Sequence, residues 1–268
     1  MSKELSNGAV LCDVDSRGVV TVTLNRPGVN NAYNEDMIQG LHQAMDLLPS
    51  LPEARVVVVQ GNGKHFQAGA DLAWISSVAP KSPEENERVS RLTGEAIRRL
   101  DTLPIPTVAL IQGGCFGGGT GIASVCDIVV AADNAIFAIT EARWGLIAGI
   151  ILPQLCKAIG VRNVRRYALT CERFSPEVAL HIGLVHEICK LDELGATGAR
   201  IVDGLLMNSP SAVSATKMRT LAVSDSLLDD VLFADLVRQH SELRQQADAA
   251  EGTASFLEKR LPSWYPQK

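Results

Sequence analysis

A run of glycines between Gly113 and Gly121 limits the possible folds more than any other feature of the sequence. Six of these nine residues are glycine, and apolar runs, Thr107–Ile111 and Ile128–Ala131, flank the segment. Glycine costs about 1 kcal/mol in a helix relative to alanine, so a cluster at a helix start indicates that the backbone itself approaches another group closely. The unpaired N–H groups of a first helical turn favour an anionic oxygen at that place.

The familiar glycine motifs do not match this run. The dinucleotide-binding pattern G-x-G-x-x-G fails in every register, and no Lys-Ser/Thr pair follows the last glycine as a P-loop requires. The nucleophile pattern G-x-S-x-G is absent. Tight packing of a helix on a strand remains the alternative interpretation, and the run alone does not decide between the two.

Short β-branched runs alternate with helical patterns over the first two-thirds of the chain. Val19–Leu24 and Val56–Gln60 are typical of strands, and Asn34 and Ser82 are typical helix caps followed by acidic residues. This alternation predicts an α/β protein with right-handed crossovers. Beyond about Arg162 only helix signals remain, so we expect an all-helical C-terminal third that packs on a neighbouring subunit.

The composition limits the partners of the chain. Its 268 residues are 46% hydrophobic but only 4% aromatic, so the core must consist mostly of Val, Ile, Leu and Ala. The net charge of −5, without a long basic block, argues against nucleic-acid and membrane partners. The six cysteines form no C-x-x-C pair, so we expect no metal site. Without a signal sequence or an apolar run of about 20 residues, we expect a cytoplasmic location.

Two further segments contain residues suited to chemistry. In Phe66–Leu72, small residues precede Asp71, which permits a close backbone approach, although an ordinary loop with a helix cap is the alternative. In Ile139–Gly145, Glu141 lies between apolar stretches. A carboxyl group near apolar walls has a raised pKa and exchanges protons near neutral pH. A surface or capping role is the alternative for Glu141.

Together these segments resemble the enoyl-CoA hydratase/isomerase (crotonase) superfamily nearly end to end. The motifs are Val22–Pro27 with Asn31-Ala32, then Ala68–Leu72, then Gly117–Gly119 with Cys126–Ile128, and finally Phe256–Arg260 with Pro262 and Trp264. The resemblance implies the crotonase (ClpP-like) fold, in which repeated ββα turns form two roughly perpendicular sheets. It implies a core domain over residues 1–200, a C-terminal helical trimerisation region over residues 201–268, and a homotrimer or a dimer of trimers.

The resemblance also implies an acyl-CoA thioester as the substrate, with no separate cofactor because the substrate carries coenzyme A. The thioester oxygen would lie between the N–H groups of Ala70 and Gly118, which stabilise an enolate, and Glu141 would be the catalytic acid and base. Ala68, Asp71 and Leu72 would lie along the adenine end of coenzyme A, and Lys259 near a phosphate. The other expected substrate-binding residues are Arg26, Gly117, Gly121, Arg143 and Phe256.

One position departs from the family pattern. Hydratases of the family usually carry a first glutamate three residues after Gly118, where this chain has Gly121. A mechanism with two carboxylates is therefore not available as such. Three interpretations remain: Glu141 acts twice through one water molecule, another side chain substitutes, or the reaction needs a single base, as in double-bond isomerisation.

Several segments are also similar to the bacterial methylglutaconyl-CoA and isohexenylglutaconyl-CoA hydratases, among them Ala70–Trp74, Glu141–Arg143 and Arg165–Thr170. Substrates of that branch carry a distal carboxylate, with which Arg143 could pair; a solvated or subunit-bridging arginine is the alternative. The sequence therefore predicts a lyase that adds water to a branched, glutaconyl-type enoyl-CoA. The alternatives are an isomerase, dehydratase or decarboxylase that uses one glutamate, and a catalytically impaired CoA-binding homologue.

Overall fold

The computed structural model describes residues 2–266, so residues 1, 267 and 268 of the two predicted regions lie outside the described part. Its strands are β1 (Ser2–Leu5), β2 (Val10–Val14), β3 (Val19–Leu24), β4 (Val56–Gly61), β5 (Gln67–Ala68), β6 (Thr107–Ile111), β7 (Gly114–Phe116), β8 (Ile128–Ala132), β9 (Ile136–Ala138) and β10 (Glu187–Cys189). Its α-helices are α1 (Glu35–Leu47), α2 (Leu72–Val78), α3 (Pro83–Asp101), α4 (Gly118–Val125), α5 (Leu152–Thr170), α6 (Pro176–His181), α7 (Leu194–Leu206), α8 (Pro210–Val223), α9 (Asp230–Leu243) and α10 (Ala247–Leu257).

The larger layer is a seven-stranded sheet in the order β1-β2-β3-β4-β6-β8-β10. The first three strands pair antiparallel, and all later neighbours pair in parallel. Helices cover both faces of the parallel part, so its strands read as continuous apolar runs. All four valines of Val56–Val59 are accordingly buried, as the sequence predicts for this strand.

Parallel strands of this sheet continue into short strands of a second sheet, in the order β5-β7-β9. The strand β4 leads to β5 and then to α2 and α3, β6 leads to β7 and α4, and β8 leads to β9 and α5. These are the ββα turns that the resemblance implied, and the predicted α/β crotonase fold is confirmed. Because the three short strands lie side by side, the loops of successive turns meet where α4 begins.

The side chains of the large sheet alternate between two apolar clusters. Val57 and Val59 of β4 point into the larger cluster, which includes residues of α1, α3, α4 and α5. Val56 and Val58 point to the opposite face, where Leu194 and Val202 of α7 cover the sheet. The helix α7 therefore belongs to the core. The domain boundary predicted between residues 200 and 201 falls inside this helix.

Local signals mark most helix starts correctly. The side chain of Asn34 accepts a hydrogen bond from the N–H of Met37, and that of Ser82 accepts one from the N–H of Glu85. The expectation of an all-helical C-terminal third is wrong at β10, whose three residues pair with β8 at the edge of the sheet. So short a strand leaves no periodicity to recognise. Among residues 2–266, no helix is both long and apolar enough to cross a membrane.

Candidate active site

A cavity of about 560 Å³ lies where the loops of the ββα turns meet the start of α4. This volume is in the usual range of small-molecule sites, about 300 to 1,000 Å³. One wall is apolar and consists of side chains from α1, α3, α4 and the segment before α5. These are Met37, Ile38, Leu41, Val89, Ala96, Ile97, Ile122 and Ile151. The rest of the lining includes Gly117 and Gly118 of the glycine run and Ala68, Gly69, Ala70 and Leu72.

The first backbone donor in the cavity is the N–H of Gly118, the first residue of α4. Gly117 caps this helix with φ +49° and ψ −116°, a conformation that side chains disfavour, so glycine is required there. An N–H group in the first turn has no acceptor within the helix. No acceptor among residues 2–266 takes up this N–H, which is therefore available to a ligand.

The second donor is the N–H of Ala70, and its position depends on Tyr33. The backbone N–H of Tyr33 donates to the carbonyl of Gly69 at 2.9 Å, and its carbonyl accepts from the N–H of Asp71 at 2.9 Å. This pairing bridges Tyr33 to Ala70 and leaves the N–H of Ala70 without an acceptor in the described chain. The buried amide of Gln67 bonds to both the N–H and the carbonyl of Gly69, which makes the segment rigid.

The carboxyl group of Glu141 lies directly against Gly117. A Cβ atom on Gly117 would be 2.9 Å from Oε1 of Glu141, so a larger residue would displace the carboxyl. The second oxygen, Oε2, is buried and has no hydrogen-bond partner among residues 2–266. Burial raises the pKa of Glu141, and the backbone N–H groups of Glu141 and Thr140 oppose part of the rise. The predicted proton-exchanging carboxyl thus lies beside the predicted donor.

Gly121 does not line the cavity, contrary to the prediction. A Cβ atom on this residue would lie 2.6 Å from Cγ2 of Ile151, so the isoleucine fills the space that a side chain at position 121 would need. Among the described residues that line the cavity, Glu141 is the only carboxylate. The arrangement is one base beside two N–H donors, which suits proton transfer at a carbon next to a carbonyl.

Tyr33 is a polar group of the cavity that the sequence analysis missed. Its ring edge lies against Gly118, where a Cβ atom would be 2.8 Å from Cε1, and its ring meets that of Trp74 edge-on at 5.9 Å. Burial and the charge of Glu141 raise the pKa of Tyr33 to about 12. In the sequence Tyr33 is marked only by its position one residue before the helix cap Asn34. That position does not indicate a functional role.

Two arginines line the cavity on the side of Glu141. Arg143, which was predicted, donates to the carbonyl of Cys171 at 3.0 Å. Arg173, which was not predicted, lies with its guanidinium 5.5 Å from the ring centroid of Phe116. Neither forms an ion pair with a carboxylate of the described chain. Both guanidinium groups therefore keep donors for an anionic ligand.

Of the predicted substrate-binding residues, Ala68, Leu72, Gly117 and Arg143 line the cavity, and so do Ala70, Gly118 and Glu141, which were predicted to be catalytic. Arg26 and Asp71 do not line it; they form an ion pair with each other at 3.1 Å. Asp71 also caps α2 through the N–H groups of Ala73 and Trp74. This pair supports the segment that carries Ala70 instead of facing the cavity.

Phe256 and Lys259 also lie outside this cavity. The end of the chain is held by Arg55, which donates to the carbonyl of Trp264 at 3.0 Å and precedes β4, whereas the cavity lies beyond the other end of that strand. Phe256 is 83% exposed. Within one chain these two residues therefore lie away from the predicted substrate cavity.

Comparisons with known proteins bear on the fold and the family. The family model for enoyl-CoA hydratase/isomerase matches residues 15–267. The chain is 30% identical to the short-chain-enoyl-CoA hydratase of Clostridium acetobutylicum, covering 90% of this chain and 92% of that protein. It is 31% identical to the peroxisomal Delta(3,5)-Delta(2,4)-dienoyl-CoA isomerase of Arabidopsis thaliana, covering 91% of each. A crystal structure of an enoyl-CoA hydratase from Shewanella pealeana superposes with a TM-score of 0.91 at 32% identity over 96% of each chain.

Because Ile151 fills the space beside Gly121, any side chain at position 121 should lower the stability of the folded chain. Gly121→Ala should lower the free energy of unfolding by about 1–3 kcal/mol through overpacking, although alanine favours a helix. In an Ile151→Ala background Gly121→Ala should lower the free energy of unfolding clearly less, because the side chain that it would collide with is shorter. Denaturant unfolding of the four proteins measures the coupling. Gly204→Ala is the control, because its Cβ meets no atom within 4 Å; an equal cost in both backgrounds would contradict the packing argument.

The burial of Glu141 predicts a pH-dependent effect of Glu141→Gln on stability. Because the pKa of Glu141 is raised above its ordinary value of 4.5 in the folded chain, its contribution to stability falls as the pH rises through the raised pKa. The Gln variant should therefore be the more stable protein at neutral pH, and this advantage should shrink as the pH falls below the ordinary value.

Melting temperatures across roughly pH 4 to 8 test this prediction. Glu172→Gln is a control of opposite sign, because Arg166 lowers the pKa of Glu172 and its charge favours the folded state at neutral pH. A difference between Glu141→Gln and the wild type that does not change with pH would contradict the burial of an ionisable carboxyl.

Proposed function

Because the chain belongs to the enoyl-CoA hydratase/isomerase family, we propose that it is a hydratase-type lyase that adds water across the double bond of an acyl-CoA thioester. The observation that carries this proposal is the Glu141 carboxyl, which lies beside the first turn of α4 with one buried, unpartnered oxygen. The N–H groups of Ala70 and Gly118 hold the thioester oxygen, on which negative charge develops when the enolate forms.

A single carboxylate is sufficient for this reaction. Ionised Glu141 takes a proton from a water molecule while the water oxygen bonds to C3 and the electrons of the double bond move into the enolate. The protonated Glu141 then donates to C2, which restores the thioester and the ionised carboxylate. The raised pKa of Glu141 suits this double role, because a group that titrates closer to neutral pH both accepts and donates readily.

The proposed acyl group is branched and of the glutaconyl type. Two features support it: the apolar wall has room for alkyl carbons, and Arg143 and Arg173 line the cavity without a carboxylate partner in the described chain. A planar guanidinium matches a carboxylate through paired hydrogen bonds.

We propose a homotrimer or a dimer of trimers as the assembly. The helix α9 buries none of its residues in the single chain and exposes apolar side chains, among them Val231 and Phe233. In such an assembly Phe256 and Lys259 would bind the coenzyme A of a neighbouring subunit, which accounts for their distance from the cavity of their own chain.

Double-bond isomerisation is the second candidate function. The observation that favours it is the contact of Ile151 with Gly121, which excludes a second carboxylate from that wall. Isomerisation needs only one base that removes a proton at one carbon and returns it at another. The similarity to an isomerase is about as high as that to a hydratase.

Glu141→Gln should reduce turnover of an enoyl-CoA by about 100-fold or more, because the amide neither accepts nor donates the transferred proton. The dissociation constant for coenzyme A should stay unchanged. Glu187→Gln, on β10 at the edge of the large sheet, is the matched control. Near-normal turnover of the Glu141→Gln variant would exclude the catalytic role. In heavy-oxygen water a hydratase incorporates the label at C3, whereas an isomerase moves the double bond without incorporating it.

Arg143→Ala and Arg173→Ala should each lower kcat/KM for a glutaconyl-type thioester by about tenfold or more, since a charge-assisted hydrogen bond is lost. The kcat/KM for crotonyl-CoA, which has no distal carboxylate, should change little. Arg166→Ala, on the exposed side of α5, is the control. Equal losses with both thioesters would rule out recognition of the distal carboxylate.

A further inference from the structure

Tyr33 is positioned by the same backbone segments that position the two N–H donors. Its main chain bonds to Gly69 and Asp71 on either side of Ala70, at 2.9 Å in each case. Its ring edge rests on Gly118, where even a methyl group would be only 2.8 Å away. The main chain of Tyr33 is therefore bonded on either side of the Ala70 donor, and its ring lies beside the Gly118 donor.

The hydroxyl of Tyr33 is available to a ligand. Tyr33 lines the cavity, and across residues 2–266 its hydroxyl forms no hydrogen bond with a protein group. Burial, and to a smaller extent the charge of Glu141, raises the pKa of this phenol to about 12. The hydroxyl therefore stays protonated at neutral pH and is a constant hydrogen-bond donor beside the base.

The other polar groups around the cavity are less suited to this role. The amide of Gln67 is occupied by both backbone groups of Gly69, and the hydroxyl of Thr93 donates to the carbonyl of Val89. Position 121, where the family pattern has a first glutamate, is closed by Ile151. Thr140 also lines the cavity, and its Oγ1 would be 3.3 Å from a Cβ atom on Gly117, whereas the ring of Tyr33 lies against Gly118. Tyr33 is thus the phenol that lies beside the Gly118 donor.

We infer that Tyr33 is a further catalytic residue, whose phenol O–H donates a hydrogen bond to the oxygen that is added at C3 of the acyl-CoA. The inference rests on the proposed hydration. The water proton goes to Glu141 and the C3–O bond forms, while the Tyr33 proton stays on its own oxygen throughout. In the reverse direction the same hydrogen bond stabilises the departing oxygen, which receives its proton from Glu141. Tyr33 therefore orients the water. Position 121 cannot do so in this chain, because Gly121 has no side chain.

The test compares hydration with exchange of the C2 hydrogen. Tyr33→Phe should lower kcat for hydration by about 100-fold, the usual effect of losing one donor at a reacting oxygen, with KM nearly unchanged. Exchange of the C2 hydrogen of a saturated acyl-CoA with deuterated water requires Glu141 and the two N–H donors but no oxygen at C3. It should continue at the wild-type rate in Tyr33→Phe and stop in Glu141→Gln.

Tyr167→Phe, which removes a phenol hydroxyl outside the cavity, is the matched control and should leave both reactions unchanged. Hydration at the wild-type rate in Tyr33→Phe would overturn the role of Tyr33, and so would an equal loss of hydration and exchange, which would indicate a structural effect. A wild-type enzyme that exchanges the C2 hydrogen but hydrates none of the enoyl-CoA thioesters would instead overturn the proposed hydratase function.

Discussion

The site depends on the close approach of two side chains to the first turn of α4. Glu141 lies against Gly117 and Tyr33 lies against Gly118, each so close that a Cβ atom on the glycine would collide with it. This contact brings a base and a phenol beside a backbone N–H that the helix leaves unpaired. It is possible only because the chain has no side chains at these two positions, so the glycine run is a packing surface as well as a source of donors.

The same contact determines the electrostatics of the cavity. Glu141 is removed from water without a hydrogen-bond partner for Oε2, so its ionised form is destabilised and it becomes a stronger base. The two N–H donors offset charge that develops on a substrate oxygen, and the phenol of Tyr33, whose pKa burial and the charge of Glu141 raise to about 12, stays neutral beside them. The group that would exchange the proton and the groups that would stabilise the substrate charge therefore lie in the same small cavity.

Much of the fold could be predicted because its signals are local. The buried valines of β4, the caps at Asn34 and Ser82 and the glycines at the start of α4 each reflect a requirement within one segment. The short edge strand β10 and the extent of α7 could not be predicted in this way, since pairing and burial against distant strands decide them. Arg26 and Asp71 were assigned to the substrate, yet their mutual ion pair is visible only when both segments are folded.

The sequence by itself determined the backbone part of the site, because N–H donors and a helix start need glycines and small residues in a fixed local order. It also indicated Glu141, whose apolar neighbours are close in the chain. Only the tertiary structure decided what faces those groups. Ile151 closes position 121, Tyr33 reaches Gly118, and Arg173 joins Arg143, although each comes from a different segment. The physical reason is that a side chain's partners across a cavity depend on packing between segments, which no local pattern in the sequence records.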